Sequence, residues 1–281
     1  MTSEPPPATS GQPPDQWSKR GTITAAERGY FVAVGLLAAV IGLPAYLAPA
    51  QVDLVLPFAV PPLHARLIGA MYFSGFAIMV GGLLARRWAE VRVVPVITAI
   101  WTGGLLLVTL LHLEAFDFTT MQTRIWFGAY LMYPLIGTWI LVRRRGDDIA
   151  SEPGQVPADW TRRCLNGQGV ALTAVALALL LAPGPVAAGW PWPVTPLLVQ
   201  IYSAPLLAYG IGSLLLARAR TWREMRIGVV GIGLFALAAL VASVIHRELF
   251  AAADPAAWAW FGALAALTTV AALLVVSQRR T

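Results

Sequence analysis

Two short runs, His112-x-Glu114-x-Phe116 and His246-x-Glu248-x-Phe250, lie far apart in the chain and carry the same three functional groups. Imidazole and carboxylate are ligands for zinc, and imidazole also binds copper, nickel and haem iron. If the two runs met across an axis, a two-His, two-carboxylate metal site or a bis-imidazole haem site would result. The same groups would otherwise line a polar mouth for a small solute, or mark two helix exits with Phe at a membrane surface. Residues two apart on a helix point nearly opposite ways, so each Glu can join its His only where the helix has ended. His64 and Arg66 form a further polar pair, and the displacement that carries His112 onto His246 carries these two onto Leu198 and Gln200. Arg66 is expected to snorkel outward, to pair with Asp53, Glu114 or Asp117, or to hold an anionic group.

A second motif also occurs twice, as Trp88-x-Glu90-x-Arg92 and Trp222-x-Glu224-x-Arg226. Glu near a helix N-terminus complements the helix dipole, Trp settles at headgroup level, and Arg marks a cytoplasmic junction. Topology and interface roles thus account for all six residues. The chain has no nucleophile motif, phosphate loop or paired metal-binding histidines on one helix face, which leaves enzyme status unsupported. Its single cysteine, Cys164, excludes an internal disulfide.

The elements that must position these residues are membrane spans. Hydrophobic residues make up 58 % of the chain and charged residues 12 %, with a mean hydropathy of +0.68. Apolar runs near 30–49, 64–85, 92–113, 122–142, 166–187, 196–217, 226–246 and 256–277 are each long enough to cross a bilayer as a helix. They lack the alternation of barrel strands. The fold class is therefore all-α, a polytopic protein of eight transmembrane helices whose obligatory partner is the lipid bilayer. Of 20 Lys and Arg residues, only Arg66, Arg124 and Arg247 fall at the junctions after odd-numbered spans. By the positive-inside rule both termini lie in the cytoplasm and the protein is multi-pass in the cytoplasmic membrane. The basic balance, a net charge of +6, is then a topology signal and needs no nucleic acid.

Under the single displacement that takes His112 to His246, 31–147 aligns with 165–281 without a gap, and the shared residues recur at junction after junction. The expected organisation is a Pro-rich disordered cytoplasmic tail over 1–28, one four-helix repeat over 29–143, a cytoplasmic linker over 144–163 and a second repeat over 164–281. Four spans return the chain to its starting side, so the repeats lie parallel with a pseudo-twofold axis along the membrane normal. Three functions fit this plan. The first is binding or passing a small solute at a polar external site formed by His112, Glu114, His246, Glu248, His64 and Arg66. The others are a metal- or haem-binding redox subunit, and a scaffold that docks a membrane partner.

Overall fold

The computed structural model describes residues 21–146 and 154–277. Within them, eight helices are long and apolar enough to cross a membrane, and the only β pairing is one isolated bridge between Thr22 and Arg87. The helices are α1 (Ala25–Leu47), α2 (Pro62–Leu84), α3 (Trp88–Leu111), α4 (Met121–Arg143), α5 (Asp159–Leu181), α6 (Pro196–Leu216), α7 (Trp222–Ile245) and α8 (Pro255–Ser277). The tail reading over 1–20 and the middle of the linker, 147–153, lie outside the described residues.

Four helices, α1, α3, α5 and α7, begin four or more residues earlier than hydropathy indicates, because a polar first turn is invisible to an apolar-run criterion. Thr24 and Glu27 form a reciprocal capping box, in which each side chain accepts from the other's backbone N–H, and this starts α1 at Ala25 instead of near residue 30. Residues 24–28 of the stretch assigned to the tail thus belong to the first helix and its cap, and Thr22 pairs with Arg87 just before it. Likewise α5 starts at Asp159, inside the stretch assigned to the linker.

Helix α1 packs on α2 and α3 on α4, as α5 packs on α6 and α7 on α8, while α2 against α7 and α3 against α6 join the two halves. Burial follows this order: 72 % of the most apolar stretch of α6 is buried inside the protein but only 11 % of that of α8. The outer helices present Leu36, Val40, Leu135, Val170 and Leu273 outward, an apolar girdle suited to lipid.

Small residues set how closely the halves approach, as expected where packing and not hydrophobicity drives helix association. A methyl group built on Gly231 of α7 would collide with the Ile78 side chain of α2, and one on Gly212 of α6 would lie 2.7 Å from that of Ile97 of α3. Across the same interface the Ser74 hydroxyl donates to the Gly231 carbonyl at 2.6 Å, the Tyr209 hydroxyl to Ser74 Oγ at 2.8 Å, and the Tyr46 hydroxyl to the Ala238 carbonyl at 2.9 Å. No open cleft separates these residues.

Candidate functional site

The bundle has an arginine-rich end and an opposite end, and the motif residues divide between them. At the opposite end α3 stops at Leu111 and α7 at Ile245, and each is followed by a single 3-10 turn, Leu113–Ala115 and Arg247–Leu249. Breaking the α-helical repeat brings each Glu back toward its His: His112 Nδ1 lies 3.7 Å from Glu114 Oε1, and His246 Nδ1 lies 3.4 Å from Glu248 Oε1.

The other ring nitrogen of each histidine reaches into the other half. Gln200 donates its amide N–H to the Leu180 carbonyl at 2.8 Å, which turns its carbonyl oxygen toward His112 Nε2 at 2.5 Å, so that nitrogen carries a proton. Arg66 Nη1 lies 2.8 Å from His246 Nε2. A guanidinium only donates, so His246 must offer a lone pair there and hold its proton on Nδ1, on the Glu248 side. Arg66 aligns with Gln200, and His112 with His246, under the displacement seen in the sequence, yet the two contacts give Nε2 opposite roles, a donor in His112 and an acceptor in His246. Arg66 meets His246, which is not among the alternatives that the sequence offers for it. Asp117 serves its own loop instead, where the Thr119 hydroxyl and backbone N–H hold its carboxyl below the usual carboxylate range.

Both Nε2 atoms are therefore engaged in bridging the halves. Among the described residues no three His, Cys, Asp or Glu side chains come together in a geometry for a metal ion. The phenylalanines do not float at a surface. Phe116 packs with Phe58 and Trp126, and Phe250 with Trp192, which in turn meets Trp260 edge-on at 4.9 Å. Trp126 and Trp260 are each anchored from below: Trp126 Nε1 donates to Thr109 Oγ1 at 3.0 Å and Trp260 Nε1 to Ser243 Oγ at 2.8 Å.

His64 goes elsewhere. It is buried, its Nε2 donates to the Pro193 carbonyl at 3.0 Å, and its Nδ1 accepts from the Tyr202 hydroxyl at 2.5 Å. Tyr202 stacks on His64 and on Trp190, and Trp190 meets Trp192 edge-on at 5.4 Å. This aromatic cluster roofs a cavity of about 320 Å³ between α5, α6, α7 and α8, with Leu67 and Met71 of α2 at its inner wall, lined also by Leu172, Val175, Leu206, Phe235, Ala263 and Leu267. Val175, Ala259 and Ala263 are exposed, so the cavity opens on the flank of the bundle between α5 and α8. Sequence reasoning missed this site. Trp190-Pro191-Trp192 reads as a Pro-rich turn, and a cavity lined by apolar residues from distant helices leaves no local pattern.

At the arginine-rich end, the Trp-x-Glu-x-Arg motifs trade partners. Arg92 Nη2 lies 3.0 Å from Glu224 Oε2, and Arg226 Nη2 lies 2.6 Å from Glu90 Oε2. Both carboxylates are buried, so the glutamates do more than complement their own helix dipoles: they receive the arginine of the other half. Matching backbone contacts flank them. Trp88 N–H donates to the Gly21 carbonyl at 2.8 Å and Trp222 N–H to the Gln155 carbonyl at 2.9 Å. Arg28 caps the end of α2 through the Leu83 carbonyl, and Arg162 caps α6 through that of Ala217. In the first half, Arg144 also forms a bidentate pair with the buried Glu27 at 2.6 and 2.7 Å.

No protein-family model, curated protein or solved structure matches this chain.

Proposed function

We propose that this protein is a duplicated, non-enzymatic membrane protein that binds a small apolar molecule from the bilayer, and does not pass a solute between two aqueous compartments. Support for the duplication comes from the ungapped alignment of 31–147 with 165–281, together with contacts that exchange under it: Arg92–Glu224 with Arg226–Glu90, His112–Gln200 with His246–Arg66, and Ile78–Gly231 with Ile97–Gly212. Such an exchange is what a twofold relation between two like units produces. The axis runs along the membrane normal, and the distribution of arginine assigns the arginine-rich end, with both termini, to the cytoplasm.

The observation that carries the functional reading is where the space lies. Along the interface between the halves, where a transported solute would have to travel, Ile78, Ser74, Tyr209 and Gly231 are in contact, and polar bridges close both ends. The cavity of about 320 Å³ opens sideways instead, into the apolar flank, and its size lies within the range of small-molecule pockets. The polar external cluster then acts as a latch between the halves, and the ligand enters beneath it.

In proteoliposomes the purified protein should leave ion and sugar fluxes at the protein-free level, while gentle solubilisation should retain a bound small molecule near equimolar with the chain. A saturable solute flux, or extracts holding no bound molecule, would overturn the reading. Reporter fusions after residues 90 and 153 should read cytoplasmic and those near 119 and 190 external. An external signal at 153 defeats the parallel arrangement.

A further inference from the structure

The cavity in the second half contains information about its ligand, because nearly every polar atom on its wall is already used. Tyr202 gives its hydroxyl proton to His64 Nδ1, and Trp260 gives its indole proton to Ser243. The indole N–H of Trp190 is buried and has no acceptor, and the same is true of its neighbour Trp192, which is 3 % exposed. An unpaired buried donor is unfavourable, and an acceptor arriving with a ligand would remove that cost. No charged side chain lines the cavity. A charged headgroup would therefore enter without a counterion, at a cost far above what apolar contact returns.

The first half shows what the same space looks like when it is not a site. Where the second half has Leu206, Phe235, Leu264 and Leu267, the aligned positions of the first hold Tyr72, Trp101, Tyr130 and Tyr133, and the space among them shrinks to about 40 Å³. Tyr72 and Tyr130 close it by hydrogen bonding to each other. Where the second half has Trp190 and Trp192, the first has Leu56 and Phe58, which have no side-chain donor. Space is not lost from the first half altogether, since about 190 Å³ lies nearer its outer end beside Ile41, Gln122, Ile125 and Trp126, but none of the residues lining it has an unpaired buried indole N–H.

We infer that the second-half cavity is a binding site for an uncharged lipid: an acyl or isoprenoid chain lying between α5 and α8, with a neutral carbonyl or ether oxygen accepting from the Trp190 indole N–H. This rests on the small-molecule reading proposed above and names the chemical class that the site takes. The oxygen belongs either to the ester of a membrane glyceride or to a quinone-like head, since both present the same acceptor on an apolar body.

The test uses photoreactive diazirine chains of one length in four forms: a methyl ester, a benzoquinone-headed chain, the free carboxylate and a plain alkane. Each is incubated with the full-length protein in nanodiscs, and labelled peptides are mapped by mass spectrometry. The ester or the quinone should label α5 around Val175 and α8 around Ala259, and mass spectrometry of the copurifying molecule tells which of the two sources occupies the site. Carboxylate labelling should be at least tenfold weaker. Trp190→Phe keeps an aromatic ring and removes the donor, so it should weaken the neutral-headed probe by roughly 2- to 10-fold, the worth of one hydrogen bond, and leave the alkane unchanged. Transplanting the first half's residues as Ala259→Ile, Leu264→Tyr and Leu267→Tyr should abolish labelling by every probe. Val175→Trp blocks the mouth from an exposed position and should do the same without touching the core. Labelling that survives both the transplant and Val175→Trp overturns the small-molecule reading itself. Labelling lost in those variants, yet equal for ester and carboxylate and indifferent to Trp190→Phe, overturns the uncharged-lipid assignment alone.

Discussion

The two halves agree at their ends and differ between them. At the arginine-rich end Glu90 and Glu224 receive equivalent arginines, and at the opposite end His112 and His246 each reach a side chain of the other half. In the membrane interior the agreement stops: at the two aligned contacts the first half supplies bulk at Ile78 and Ile97 and the second supplies room at Gly231 and Gly212, and Tyr72 and Tyr130 align with Leu206 and Leu264. Only at Gly81 and Gly104 does the first half make room for Ile227 and Ala204 of the second. On the proposed duplication, this means that the contacts holding the copies together limit change at the ends, while the interior of one copy is free to lose volume. A binding site can then arise by subtraction, without any new functional group beyond an indole.

Exchanging bulk and room at the interface breaks this comparison most severely. Gly212→Ile with Gly231→Ile places isoleucine against Ile97 and Ile78, and overpacking of this kind costs about 1–3 kcal/mol at each site. Loss of the monodisperse peak in gel filtration is expected, with recovery when Ile78→Gly and Ile97→Gly are added. Recovery failing there would mean that the bulk has to come from the first half.

Excavating the first half is the next largest effect. Tyr130→Leu removes a buried ring and leaves the Tyr72 hydroxyl without its partner, which should cost about 2–4 kcal/mol in thermal or denaturant unfolding. The matching change Leu264→Tyr puts a ring into existing space and should shift the unfolding midpoint far less. Equal destabilisation by both would show that the halves are packed alike after all.

Arg92→Ala and Arg226→Ala test the region where the halves agree. Each takes one guanidinium away from a buried glutamate, but the arginines are partly exposed, so a loss of about 1–2 kcal/mol is expected for each, and similar for both. Chemical denaturation of the two variants side by side checks it, and a loss confined to one of them would break the equivalence. Arg66→Gln gives the first half the residue that the second carries, and by retaining a donor to His246 Nε2 it should change stability by less than about 1 kcal/mol. A larger drop would show that Arg66 holds more than the histidine.

Much of the frame was legible in the sequence because the bilayer imposes a length on every span, and the eight runs correspond to α1 to α8 within a few residues except where a polar turn opens α1, α3, α5 and α7. The helix break at His112 and His246 was conditional in the sequence and is met by the 3-10 turns that follow them. What could not be read was which half a side chain serves. Glu90 and Glu224 have a sufficient local explanation as helix-dipole partners, so nothing local signals that their arginines come from the opposite half of the chain. Cavities leave even less trace, because Ala259, Ala263 and Leu267 look like ordinary lipid-facing positions. Column-by-column comparison of the two aligned stretches exposes part of the cavity, since Tyr72, Trp101, Tyr130 and Tyr133 align with Leu206, Phe235, Leu264 and Leu267, whereas Ala263 aligns with an identical Ala129.

The Ile78–Gly231 and Ile97–Gly212 contacts also bear on how the chain is made. While the first half waits in the membrane for the second to be synthesised, its exposed interface presents isoleucine at both positions, so a neighbouring nascent copy would meet isoleucine against isoleucine and be refused. A second half alone would meet glycine against glycine and leave a void. Each half is thereby poor at recognising itself and suited to the other, so a gene cut in the linker should still yield an assembled protein from two separately encoded pieces.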